Sequence, residues 1–180
     1  MRLIRSWPAT VPAGRSYVHD GLERLYMADH DYCVLDRVDD DVVLIEWDMA
    51  VGRDELRAFI DLAAAGRSMP LVAPYVLYES TSGAPHNRPV WAHRRFTHGD
   101  QHARFITEDD TATHLFGFGL VYLPRLLVKR WLYENHGHFN DSSFSSWHYR
   151  HGDEPEVQIA WGVRPVHLHY DISKIAKGLK

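Results

Sequence analysis

Hydrophobic positions along this chain fall into runs whose spacing predicts a layered α/β fold. Val42-Val43-Leu44-Ile45 is aliphatic at four consecutive positions. Such a run without alternation marks a strand covered on both faces. Residues 115–122 read as a second buried strand, interrupted by Gly117 and Gly119. Leu56, Phe59, Ile60 and Ala63 recur at i, i+3, i+4 and i+7, so residues 52–65 predict an amphipathic helix that Gly66 and Pro70 stop. A strand over 71–78 follows, making 42–78 one strand–helix–strand unit. Residues 2–5 predict a short first strand, ended by Pro8 and Pro12. Ser16 then predicts the N-cap of a helix with Val18, Leu22, Leu25 and Tyr26 on one face. Later in the chain a strand is expected over 90–96. Pro124 opens a helix striped by Leu127, Val128, Trp131 and Leu132. The last strands are expected over 157–161 and 163–169. Residues 1–180 thus read as one α/β domain, a sandwich with a mostly parallel central sheet and helices on both faces.

Composition narrows the class. The 180 residues are 45% hydrophobic and 24% charged, enough for one domain with a real core. A net charge of −4 argues against a broad nucleic-acid footprint. Cys33 is the one cysteine, so no internal disulfide forms and a reducing compartment is expected. No apolar stretch reaches membrane-spanning length, and the first residues lack the apolar core of a signal peptide. These features predict a cytoplasmic protein that is not held by a membrane. The 13 histidines are scattered, with a concentration between His136 and His169.

Candidate chemistry starts at the end of the first buried run, which leads into Glu46-Trp47-Asp48. In open α/β sheets ligands collect at the carboxyl ends of strands. Glu46 and Asp48, two residues apart, are expected on one strand face there. Two other acidic places compete. Asp39-Asp40-Asp41 enters the strand and so lies at the opposite edge, where a solvated turn explains it. Glu108-Asp109-Asp110 has no histidine arrangement beside it and receives the same reading. In the segment Arg164 to Tyr170, His167 and His169 alternate, so in extended chain they point the same way and either or both face a cleft. Satisfied histidines on a half-buried strand are the plain alternative. Asp141 or Ser142 predicts the N-cap of a short helix carrying Phe144, Trp147 and His148 on one face. A carboxylate at a helix start is also fixed in position, as a general base must be. Gly117-Phe118-Gly119 lacks the spacing of a dinucleotide fingerprint; glycine in a buried strand instead marks a close approach of backbone or ligand. Residues 79–89, rich in Gly, Pro and small polar residues, predict a loop, either a lid or a solvated connection.

Taken in order, these parts resemble a compact GT-A glycosyltransferase, and 116–170 is similar to small glycosyltransferases encoded by actinobacterial phages. That family has an Asp-x-Asp-like metal motif at a strand end, matched by Glu46-Trp47-Asp48. A glycine-containing strand follows beside the acceptor, matched by Gly117 and Gly119. An acidic pair opening a helix supplies the base of inverting members, matched by Asn140-Asp141, and a late histidine completes the metal site, matched by His167 or His169. The resemblance implies a sugar moved from a nucleotide-sugar donor, UDP-linked by family frequency. Mn2+ or Mg2+ would be held by Asp48 with His167 or His169, with Glu46 beside it towards the ribose or the metal's hydration shell and Trp47 on the donor. Ser6, Pro8 and Thr10 are the further donor positions, although only some 45 residues precede the acidic motif here. Asp141 would be the base, with Trp147 on the acceptor side, core packing being the plain alternative for Trp147. The acceptor is a protein, a modified nucleobase, a glycan or a small molecule; a homo-oligomer stays open, and a phage protein would act in the cytoplasm of its bacterial host. Two rival readings are a non-haem metal enzyme built on His-x-His with Asp48, and a non-catalytic phage-associated binding domain.

Overall fold

The computed structural model describes residues 1–9, 22–28, 31–65, 68–79, 88–97, 102–135, 139–152 and 154–168. The expected buried run forms β3 (Val42–Ile45), buried at every position. It is an interior strand of a seven-stranded sheet with β1 (Arg2–Pro8), β2 (Glu23–Met27), β5 (Leu71–Val72), β10 (Ala112–Thr113), β11 (Leu120–Leu123) and β12 (Val157–Ile159), in the order β10-β12-β5-β11-β3-β1-β2. β2, β1, β3, β5 and β12 run one way, and β11 and the edge strand β10 run against them. The sheet is therefore mostly parallel, as an α/β layer requires.

Helices cover both faces, and alternate residues of β3 and β11 separate the two cores. Leu44, Val121 and Leu123 face a cluster with Val128 and Trp131 of α2 (Arg125–Glu134) and Phe144 and Trp147 of α3 (Asp141–His151). Val43, Ile45, Leu120 and Tyr122 face the opposite cluster with Phe59 and Ala63 of α1 (Arg53–Ala63). The β3–α1–β5 unit stands as expected, with β11 inserted between its two parallel strands. The result is a Rossmann-like α/β sandwich.

Several expected elements change. Of the expected stripe, Leu25 and Tyr26 belong to strand β2 and not to a helix, with Leu22 just before it; pairing with β1, distant in sequence, overrides the local helical spacing. The Ser16 cap lies outside the described residues. The strand expected over 71–78 is two, β5 and β6 (Val76–Glu79), because Pro74 between them has no N–H for the ladder. Residues 88–96 split likewise into β7 (Arg88–Trp91), paired with β6, and β8 (Arg94–Phe96), paired with β9 (Ala103–Phe105). Asp110 is no solvated turn: it is buried, receives both Arg104 nitrogens at 2.7 Å, and that guanidinium holds its carboxyl down at about 2. Asp41 caps α2, accepting the Arg125 N–H at 2.7 Å and the Tyr122 hydroxyl at 2.9 Å. Most of the expected 79–89 loop lies outside the described residues.

Two buried histidines make stability depend on acid. His93 and His148 have no exposed surface, and burial lowers each from 6.5 to about 4. The folded state keeps both neutral while the unfolded chain takes up protons below pH 6.5. Their contribution is thus complete above pH 6.5 and lost as pH falls towards 4, on the order of 3 kcal/mol for each residue. Urea unfolding at pH 7 and at pH 4.5 should show a clear fall, reduced by about half in His148→Phe. An unchanged pH dependence in that variant would mean other groups carry it.

Candidate functional site

The carboxyl ends of β1, β3 and β5 meet the amino end of β11 at one sheet edge, and the predicted residues gather there. Beyond Ile45 the chain leaves the ladder in a turn, closed by the Met49 N–H donating to the Glu46 carbonyl at 3.1 Å. Glu46 and Asp48 are therefore turn residues and not neighbours on a strand face, a correction to the expected geometry. A buried cation holds that turn: Arg5 of β1 donates to the Glu46 carbonyl at 2.6 Å and to the Met49 carbonyl at 2.9 Å. The chain then forms β4 (Met49–Ala50), which pairs antiparallel with β13 (Val166–His167) and sets His167 opposite Met49. The Leu168 N–H donates to the Asp48 carbonyl at 2.7 Å.

This pairing carries His167, remote in sequence, to the acids. His167 Nε2 lies 3.3 Å from Asp48 Oδ2. One ligand atom each from Glu46, Asp48 and His167 lies within 4.8 Å of the others. Burial pushes the Glu46 carboxyl up to about 8, and the charges of Asp141 and then Asp48 add to that push. Tyr32 opposes it by donating its hydroxyl to Glu46 at 3.1 Å. Carboxylates crowded at one place are what a divalent cation relieves. Two carboxylate oxygens and an imidazole nitrogen fit such an ion and suit Mn2+ or another transition metal better than Mg2+.

Asp141 opens α3, near enough for its charge to act on Glu46. The expected capping role belongs to its neighbour: Asn140 Oδ1 accepts the Ser143 N–H at 2.7 Å. Asp141 Oδ1 accepts its neighbour Ser142's N–H at 2.6 Å. A Cβ on Gly117 would lie 3.2 Å from Asp141 Oδ2 and 2.4 Å from the Tyr75 hydroxyl oxygen. Gly117, Asp141 and Tyr75 line one cavity of about 370 Å³ together with Arg94, Ser142 and Ser146.

Sequence reasoning missed Tyr75. Its ring stacks on His167 at 5.9 Å and meets His93 edge-on at 5.5 Å. Gly119 leaves the space for it, since a Cβ there would lie 2.5 Å from the ring. The glycines thus mark a close approach, as expected, but of a side chain. β11 starts at Leu120, just after them, and the Gly119 carbonyl accepts the Glu46 N–H at 3.0 Å. Because His93 and His167 pin the ring, Gly119→Ala should cost about 1–3 kcal/mol through overpacking and weaken Mn2+ binding by displacing His167. Thermal unfolding with and without Mn2+ would check this; an unchanged midpoint would show that the ring moves freely.

Other predicted positions fall elsewhere. Ser6 is buried, its hydroxyl hydrogen-bonded to Tyr32, so it braces the acids from below. Trp47 is half-buried and meets Trp7 edge-on at 6.2 Å, while Arg24 lies 4.3 Å over the Trp7 ring. Trp147 is a correction: it is buried in the core and donates Nε1 to Glu134 at 2.9 Å, away from the cavity. Pro8 closes β1 opposite Met27. Thr10 and His169 lie outside the described residues. No helix among the described residues is long and apolar enough to cross a membrane.

No protein-family model and no curated protein matches this chain. Among solved structures it is similar to the crystal structure of A197 from STIV, at 13% identity and a TM-score of 0.52, over 93% of this chain and 85% of that one. At that identity the likeness concerns the fold, and the α/β sandwich is shared along nearly the whole chain.

Proposed function

We propose that this protein is a metal-dependent glycosyltransferase that moves a sugar from a nucleotide-sugar donor to an acceptor hydroxyl with inversion. The observation that carries the reading is the meeting of Glu46, Asp48 and His167 at the carboxyl edge of the sheet, with Asp141 close enough for its charge to act on Glu46. The order of these parts along the chain, which resembles the GT-A family and small phage transferases, supports it. Asp48, His167 and Glu46 would hold the ion, for which Mn2+ is the preferred identity. Such an ion supplies charge neutralisation to the departing diphosphate. Trp47, beside the acidic motif, belongs to the donor side. Asp141 takes the proton of the acceptor hydroxyl. The acceptor oxygen then bonds to the anomeric carbon as the bond from that carbon to the diphosphate oxygen breaks, its electron pair leaving with the nucleotide. The cavity beside Gly117 receives the acceptor.

Calorimetric titration with Mn2+, then with UDP-, GDP-, TDP- and CMP-sugars in its presence and absence, tests the reading. Donor binding and slow donor hydrolysis that require the cation are expected, and bound ligands should raise thermal stability by mass action. Cation binding with no nucleotide-sugar dependence would overturn the transferase and favour a non-haem metal enzyme. Absence of both would favour a binding domain.

A further inference from the structure

We infer that the acceptor is a compact hydroxyl compound carrying an anionic group, carboxylate or phosphate, which Arg94 binds; this rests on the transferase reading above. Three arginines stand on the β8–β9 hairpin. Arg95 pairs with Glu156 and Asp110, and Arg104 with Asp110. Arg94 has no carboxylate partner among the described residues; its guanidinium lies 4.5 Å over the Phe105 ring, and it lines the cavity that Asp141 also lines. A chain of net charge −4 thus places a cation without a matching acid among the described residues at the cavity where the acceptor must sit.

Backbone pairing joins the two walls of the cavity. The Arg94 N–H donates to the Leu115 carbonyl at 2.8 Å, and Gly117, beside Asp141, is two residues further on. A molecule bound in this cavity therefore meets both the Asp141 carboxylate and Arg94. Between them the wall offers hydroxyls from Ser142 and Ser146, which suit a polyhydroxyl body. The volume of about 370 Å³ admits one sugar ring or a short chain. The lining aromatics Tyr75 and Phe116 are 6% and 3% exposed, so no open ring face is presented for stacking a nucleobase. Guanidinium matches carboxylate and phosphate alike through paired N–H donors.

The test is a panel of matched compounds: glucose, glucuronate and glucose 6-phosphate, with glycerol, glycerate and glycerol 3-phosphate. Affinities would be measured by ligand-observed NMR on the full chain with Mn2+ and UDP present, for wild type and Arg94→Gln. The anionic members should bind wild type at least tenfold more tightly than their neutral partners, and Arg94→Gln should remove that advantage. The better of the carboxylate and phosphate arms identifies the anion. Equal binding of neutral and anionic members, no binding of any, or an advantage that survives in Arg94→Gln would each overturn the inference. Mn2+-dependent UDP binding by wild type is read separately; its loss would count against the transferase and not against the anion site.

Discussion

Asp48→Ala is expected to abolish cation-dependent donor binding, with a loss in Mn2+ affinity on the order of 100-fold or more, while leaving the metal-free fold nearly as stable as before. The two halves of this expectation come from the same geometry. Asp48 is 8% exposed, and its Oδ2 lies 3.3 Å from His167. Removing it takes one oxygen from a donor set that has few to spare. In the metal-free protein, however, its charge acts against Glu46, whose carboxyl it helps push up. Relieving that repulsion offsets the lost contact with His167. Asp40→Ala is the control, since Asp40 is half-exposed at the opposite edge and accepts from the Met1 amino group at 2.7 Å. A surface pair of this kind is worth little. Differential calorimetry with and without Mn2+ separates the outcomes: the cation-induced rise should vanish in Asp48→Ala and persist in Asp40→Ala. Equal behaviour of the two variants would remove the argument from the carboxyl edge of the sheet.

What the sequence made legible was what local pattern controls. A short, unbroken aliphatic run rich in valine and isoleucine reads as a covered strand, so β3 and the edge on which Glu46 and Asp48 emerge were legible in residues 42–48. Alternation placed His167 on a strand, and helical periodicity found α1 and α2. The failures are non-local. β2 falls at the end of a helical spacing that starts at Val18, and only the register with β1 decides against a helix there. Tyr75 matters because three elements, distant in sequence, close around its ring. Arg5 offered a signal, a cation inside the apolar strand Leu3-Ile4-Arg5, yet its partners are carbonyls more than forty residues away. A charge in such a place needs buried acceptors. The sequence contains that demand but not its answer. Trp147 shows the converse: a helix-face pattern puts Phe144 and Trp147 together, but the pattern does not say which face meets the core.

Asp141→Asn should lower turnover by about a hundredfold or more, the usual scale of general-base catalysis, without weakening donor binding. The structure sharpens this expectation by removing the ambiguity about capping. Asn140 already caps α3 through its side chain, and Ser143 returns the bond to the Asn140 N–H at 3.2 Å. Asparagine at 141 keeps an oxygen for the Ser142 N–H, so the helix start should hold. What it loses is the capacity to accept a proton, and a negative charge that acts on both Glu46 and Tyr32. Without that charge the Glu46 carboxyl should titrate lower. The variant should therefore ionise its metal site at lower pH than wild type, while its turnover falls at every pH. A merely structural role for Asp141 predicts a different pattern: near-normal turnover with a lower unfolding midpoint. Comparing turnover, cation binding and thermal unfolding of Asp141→Asn across pH 6 to 9 would decide between them. Near-normal turnover would also transfer the mechanism from inversion with a carboxylate base to retention.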